Sequence, residues 1–127
     1  MALKLDHISL MVRSLETSMP YYNKLLGLIG FDKLREDVWS DGQFVFQFKQ
    51  ANEDTRPYER YGTGMNHLGF SAPSADFVQE IQSKMRDAGF AAPEIQNLEG
   101  AVMLFMKDPD GIRFEITYYP PGVSVVD

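Results

Sequence analysis

The chain has 127 residues, 44% of them apolar, with 18 acidic against 12 basic residues and a net charge of −6; that suits one compact domain with a real core, and the absence of a basic run argues against nucleic acid or an anionic membrane as partner. No cysteine occurs, so disulfides, thiolate metal sites and cysteine nucleophiles are excluded. No apolar run approaches a membrane span and the first residues lack a signal peptide's long apolar core, so a soluble cytoplasmic protein is expected.

Residues 3–12 alternate as a strand, with Ile8, Leu10 and Val12 on one side and Leu5, His7, Ser9 and Met11 on the other. Ser14 offers an N-cap, and a helix is expected to run to about Leu26, with Pro20 awkward in its interior and Gly27 and Gly30 ending it. Residues 31–39 read as one short strand, Ser40-Asp41-Gly42 as a hairpin turn, and Phe44, Phe46 and Phe48 mark the next strand. A polar stretch over about 51–63 is a long linker, with Tyr58 and Tyr61 among its charges.

A second half follows. Met65 to Ser71 alternates as a strand, Ser74 can cap a helix, and Phe77, Val78, Ile81 and Met85 form that helix's apolar face up to Gly89. Residues 90–100 look irregular or weakly extended. Ala101 to Met106 is apolar throughout, as suits a strand covered on both faces. Asp108-Pro109-Asp110-Gly111 is a turn, and Ile112, Phe114 and Ile116 then alternate with Arg113, Glu115 and Thr117. Residues 120–127 are expected to be a tail.

The halves repeat. One constant shift carries His7 onto His67, Ile8 onto Leu68, Leu10 onto Phe70 and Ser14 onto Ser74. Each half reads as strand, helix, then three strands, with module one over about 3–50 and module two over about 64–119 of a single domain, 1–127. If the helix covers the Ile8 and Leu68 side, His7 and His67 share the other side with Ser9, Gly69, Val45, Gln47, Arg113 and Glu115. Glu115, between two apolar neighbours, either pairs with a lysine or arginine on an exposed face or, on an enclosed one, needs a cation. A lone histidine is more often a packed or surface residue than a ligand. Two in register, with Gln47 and Glu115 also in register, form a set suited to a first-row divalent ion.

Four pieces in this order resemble the vicinal oxygen chelate superfamily, also called the glyoxalase, bleomycin-resistance and dioxygenase superfamily: Leu5-Asp6-His7-Ile8-Ser9-Leu10, Tyr21 to Gly27, Asn66-His67-Leu68-Gly69-Phe70, and Asp108 to Ile116. The resemblance implies an α+β fold of two paired βαβββ modules forming a cupped mixed sheet, a homodimer, and a divalent metal (Ni, Zn, Fe, Mn or Co) held by His7, Gln47, His67 and Glu115. It also implies chelation of two neighbouring substrate oxygens by an ion acting as Lewis acid, with Glu115 as the proton-transferring base and Glu36 or Asp37 as candidates for a second. Met11 stands where glyoxalase I enzymes of this family carry an arginine for glutathione, and no histidine is left over for the acid-base role of an extradiol dioxygenase. The expected activity is a glyoxalase I-like lyase or isomerase acting on a small carbonyl substrate. The alternatives are a ring-cleaving dioxygenase using His7, His67 and Glu115, and a non-catalytic binder of the bleomycin-resistance type. Met103, Phe105, Trp39 and Tyr61 are either pocket lining or ordinary core.

Overall fold

The computed structural model describes residues 1–124; the last three residues of the expected tail lie outside the described residues. Contacts divide the chain into two units, Met1–Pro57 and Tyr58 onward. In the first, β1 (His7–Val12) is followed by α1 (Leu15–Leu28), β2 (Asp32–Arg35), β3 (Val38–Ser40) and β4 (Val45–Gln50). In the second, β5 (His67–Ser71) is followed by α2 (Ala75–Asp87), β6 (Gln96–Leu98), β7 (Ala101–Lys107) and β8 (Arg113–Tyr118). Each unit has its own four-stranded sheet, ordered β1-β4-β3-β2 and β5-β8-β7-β6. In both, the first and last strands of the module pair parallel and the rest antiparallel. The architecture is α+β, built from two βαβββ modules.

The repeat extends to the ends of the helices. Ser14 and Ser74 both have extended backbones and accept from the amides of Thr17 and Phe77 at 3.2 and 3.1 Å, so each satisfies one of the amides a helix start leaves open. At the other end, Gly30 (φ 98°) and Gly89 (φ 90°) take the left-handed conformation. Past them, the Phe31 amide donates to the Leu26 carbonyl at 2.9 Å and the Phe90 amide to that of Met85 at 3.0 Å, closing a Schellman motif in each module. Gly27 does not end α1. The helix continues through Leu28, and Gly27 packs 3.8 Å from the Trp39 ring. Pro20 is carried inside α1; it and Glu16 are both exposed, so water can reach the carbonyl that loses its amide donor.

Alternation decides what each helix covers. Leu10, Val12, Phe46 and Phe48 are buried in the first unit with Tyr22, Leu25 and Leu26 of α1, and the Tyr22 and Phe48 rings lie 4.4 Å apart. Leu104, Met106, Phe114 and Ile116 are buried in the second with Val78, Ile81 and Met85 of α2, which packs on β7 and β8. Full burial of each such side chain contributes about 2 kcal/mol. His7, Ser9, Gln47, His67, Gly69, Arg113 and Glu115 are left on the opposite faces.

Residues 31–39 are not one strand: β2 turns back into β3 through Glu36 and Asp37, with Asp37 at φ 62° and a register shift between Lys33 and Arg35. The weakly extended part of residues 90–100 is β6, short and exposed along its length. The first strand begins at His7 rather than residue 3. The β7–β8 turn forms as expected, with buried Asp108 accepting from the amides of Asp110 and Ile112 at 2.9 and 2.8 Å.

Candidate metal centre

The four predicted ligands fall two in each unit, at equivalent places. In the first, the parallel β1–β4 pairing sets His7 opposite Val45 and Ser9 opposite Gln47. In the second, β5–β8 sets His67 opposite Arg113 and Gly69 opposite Glu115. Each histidine is thus diagonal to its unit's second candidate, across one strand boundary and one step along. Among the described residues, no group of three or more His, Cys, Asp or Glu side chains is placed to hold an ion.

The histidines are presented alike. His7 Nδ1 lies 2.7 Å from Asp6 Oδ2, and His67 Nδ1 lies 2.7 Å from Asn66 Oδ1. Asn66 also donates from Nδ2 to the Arg60 carbonyl at 2.9 Å, which turns its oxygen toward the imidazole. An amide oxygen and a carboxylate only accept, so each Nδ1 carries the hydrogen and Nε2 is left with its lone pair. In the neutral ring this frees Nε2, one of the two nitrogens through which imidazole binds a metal, and an outer partner fixes the ring's orientation. Asp6 and Asn66 were not singled out from sequence, although the internal repeat superposes them.

The second candidates differ. The Gln47 side-chain amide donates from Nε2 to the Ser9 hydroxyl, leaving its carbonyl oxygen, the atom that can coordinate, without a bond to the described residues. Glu115 is 7% exposed and has no hydrogen bond or ion pair among the described residues. Gly69, where module one has Ser9, presents no side chain to it; a β-carbon there would lie 3.5 Å from Glu115 Oε2. Its oxygens are not among the fully buried, unpartnered side-chain atoms, so a small opening keeps them in reach of water. Of the two readings left open for Glu115, an exposed face paired with a basic residue is not what the fold provides.

Around this face the expectations divide. Phe105 is opposite Glu115 and buried Met103 opposite Thr117, so both lie beside the carboxylate. Trp39 does not share the site face of its module. Its register partner is Phe46, and its indole Nε1 donates to Asn23 Oδ1 of α1 at 3.1 Å. Tyr61 is 83% exposed, with the Arg60 guanidinium over its ring. Glu36 is engaged by Lys33 at 3.0 Å, and Asp37 forms the turn beside it.

The profile of the Glyoxalase/Bleomycin resistance protein/Dioxygenase superfamily matches residues 4–116. The chain belongs to that superfamily. Among curated superfamily relatives it is 28% identical over 122 residues to glyoxylase I 4 of Arabidopsis thaliana, covering 88% of this chain and 68% of the relative. It is 25% identical over 120 residues to the glutathione transferase FosA of Serratia marcescens, covering 88% and 78%. A crystal structure from Bacillus halodurans, named as a candidate glyoxalase, superposes with a TM-score of 0.79 at 26% identity, covering 91% of this chain and 95% of that one. The superfamily includes enzymes that use divalent metals. No helix among the described residues is long and apolar enough to cross a membrane.

Proposed function

We propose that this superfamily member is a metal-dependent lyase or isomerase of the glyoxalase I-like kind acting on a small carbonyl substrate. The observation that carries the reading is Glu115, an enclosed carboxylate with no partner among the described residues, on the same module face as a histidine whose Nε2 is kept free. His7, His67, Glu115 and the Gln47 carbonyl oxygen would hold the ion, a two-nitrogen, two-oxygen set suited to Ni, Zn, Fe, Mn or Co. When bound, the ion supplies Lewis acidity to two neighbouring oxygens of the substrate.

The chain's own residues do the rest. Asp6 and Asn66 fix the imidazoles, and Ser9 fixes the Gln47 amide. Glu115 takes a proton from the substrate carbon and returns it to the neighbouring one, so the isomerisation needs no oxidant. Gln47 has no useful basicity and cannot share that task. The reading includes a homodimer. The relative named glyoxylase I supports the reaction class. Met11, 48% exposed on the His7 side of β1, offers no cation to glutathione.

The test is nickel, zinc and iron(II) titration of metal-free protein, followed by turnover of methylglyoxal and of small carbonyl acids with and without thiols. Glu115→Gln should keep the fold by circular dichroism and abolish turnover, and Asp6→Ala should weaken metal binding by about 10- to 100-fold. Full activity in Glu115→Gln would end the proposal, as would oxygen uptake with catechols in place of isomerisation.

A further inference from the structure

The face that carries His67 and Glu115 also carries two cations that form no ion pair among the described residues. β8 sets Arg113 opposite His67 on one side and opposite Lys107 of β7 on the other. Residues in register on paired strands point to the same side, so His67, Arg113 and Lys107 form one row across the sheet. The next row is Gly69, Glu115 and Phe105.

Like charges directly opposite one another on paired strands repel, and this chain has acids to spare, at 18 against 12 basic residues. Elsewhere they are used: Lys33 pairs with Glu36, Lys84 with Glu80, and Arg86 with Glu94. Arg113 and Lys107 have no hydrogen bond or ion pair among the described residues, although Glu115 lies two residues along β8 on the same side. Arg113 is half-buried and Lys107 exposed, so the pair spans from the enclosed part of the face to solvent. A cation beside the ligands of a second cation is unfavourable unless an anion comes between them.

We propose that Arg113 and Lys107 form an oxyanion subsite for the substrate, receiving a carboxylate, phosphate or phosphonate group. The guanidinium fork supplies paired donors to two oxygens, and the ammonium supplies charge at the rim. As a statement about substrate, this rests on the metal reading above. It narrows the class to small carbonyl compounds that also carry an anionic group.

Full-length metal-free protein is titrated with inorganic phosphate, methylphosphonate and acetate, with acetamide as the neutral control, and separately with nickel. Wild type binds the three anions and not acetamide. Arg113→Gln weakens phosphate binding by about tenfold, Arg113→Lys by less, and Lys107→Gln by a few-fold. Lys84→Gln on α2 changes net charge equally and leaves phosphate binding as it was. Nickel affinity in Arg113→Gln is equal or higher, because a like charge has been removed. This pattern of anion binding supports the subsite even where nickel fails to bind, and in that case the metal reading alone falls. Equal phosphate affinity in wild type, Arg113→Gln and Lys84→Gln overturns the subsite, as does a wild type that ignores millimolar phosphate.

Discussion

Asp41 shows how one side chain sets a local conformation. Its Oδ1 accepts from the amides of Phe44 at 2.7 Å and Gln43 at 2.9 Å, and these bonds, that from Phe44 foremost, hold the carboxyl below its ordinary pKa. A depressed folded-state pKa means the stabilisation is complete above the unfolded value, about 3.9, and is lost as pH falls through the folded one. Wild type should therefore lose its advantage over Asp41→Asn between about pH 5 and pH 2, read as converging urea midpoints; a constant gap across that range would dissociate the carboxylate's charge from the turn. The same scale shows what sequence could and could not reveal about the site. The register of His7, Gln47, His67 and Glu115 was legible because strand alternation fixes sides. The orienting roles of Asp6, Asn66 and Ser9 were not, since a bond between side chains of adjacent residues or strands leaves no period. Trp39 stayed open between pocket lining and core because alternation does not carry across a chain reversal. The turn at Asp37 resets the parity, and pairing with Phe46 decides it.

At the level of elements, two glycines three residues apart in one helix end are opposite cases. Gly30 sits at φ 98° with nothing near the place a β-carbon would occupy, so Gly30→Ala acts through backbone conformation and should destabilise by about 1 kcal/mol. Gly27 is helical, and a β-carbon there would meet the Trp39 ring at 3.8 Å, an ordinary contact. Gly27→Ala should therefore stabilise by about 0.5–1 kcal/mol. Urea denaturation of both variants checks the signs, and a loss in Gly27→Ala would show that Trp39 has no room. The contrast explains why the helix end was only partly legible: the sequence offers two glycines, and only tertiary packing against Trp39 tells which one stops the helix. Long elements with serine caps and periodic apolar faces were readable. β6 was legible only as a weak extension, because three exposed residues, Gln96–Leu98, bury nothing and show no alternation.

For the whole molecule, composition made the linker visible but not how it is held. Its first part belongs to the first unit: Arg13 Nη1 donates to the Asn52 carbonyl at 2.9 Å, and Nη2 reaches the carbonyls of Thr55 and Arg56 at 3.1 and 3.2 Å. Its second part belongs to the second unit: the Tyr58 hydroxyl is shared between the carbonyls of Met65 and Asn66 at 2.7 and 2.8 Å, and Asn66 holds the Arg60 carbonyl. The stretch is thus two short anchored segments meeting between Pro57 and Tyr58. A guanidinium can serve several carbonyls at once, which a lysine ammonium on a flexible stem does less well. In Arg13→Ala the first segment should open while the second stays closed. Endoproteinase Glu-C supplies an internal control, because it can cut after Glu53 in one segment and after Glu59 in the other. Losing about 1–2 kcal/mol of net hydrogen bonding raises the open population, and with it the rate of cutting after Glu53, by about 5- to 30-fold. Cutting after Glu59 should stay at the wild-type rate, and Arg13→Lys should fall between. Equal acceleration at both sites would mean the linker opens as one piece, and the division at Pro57 would then be wrong.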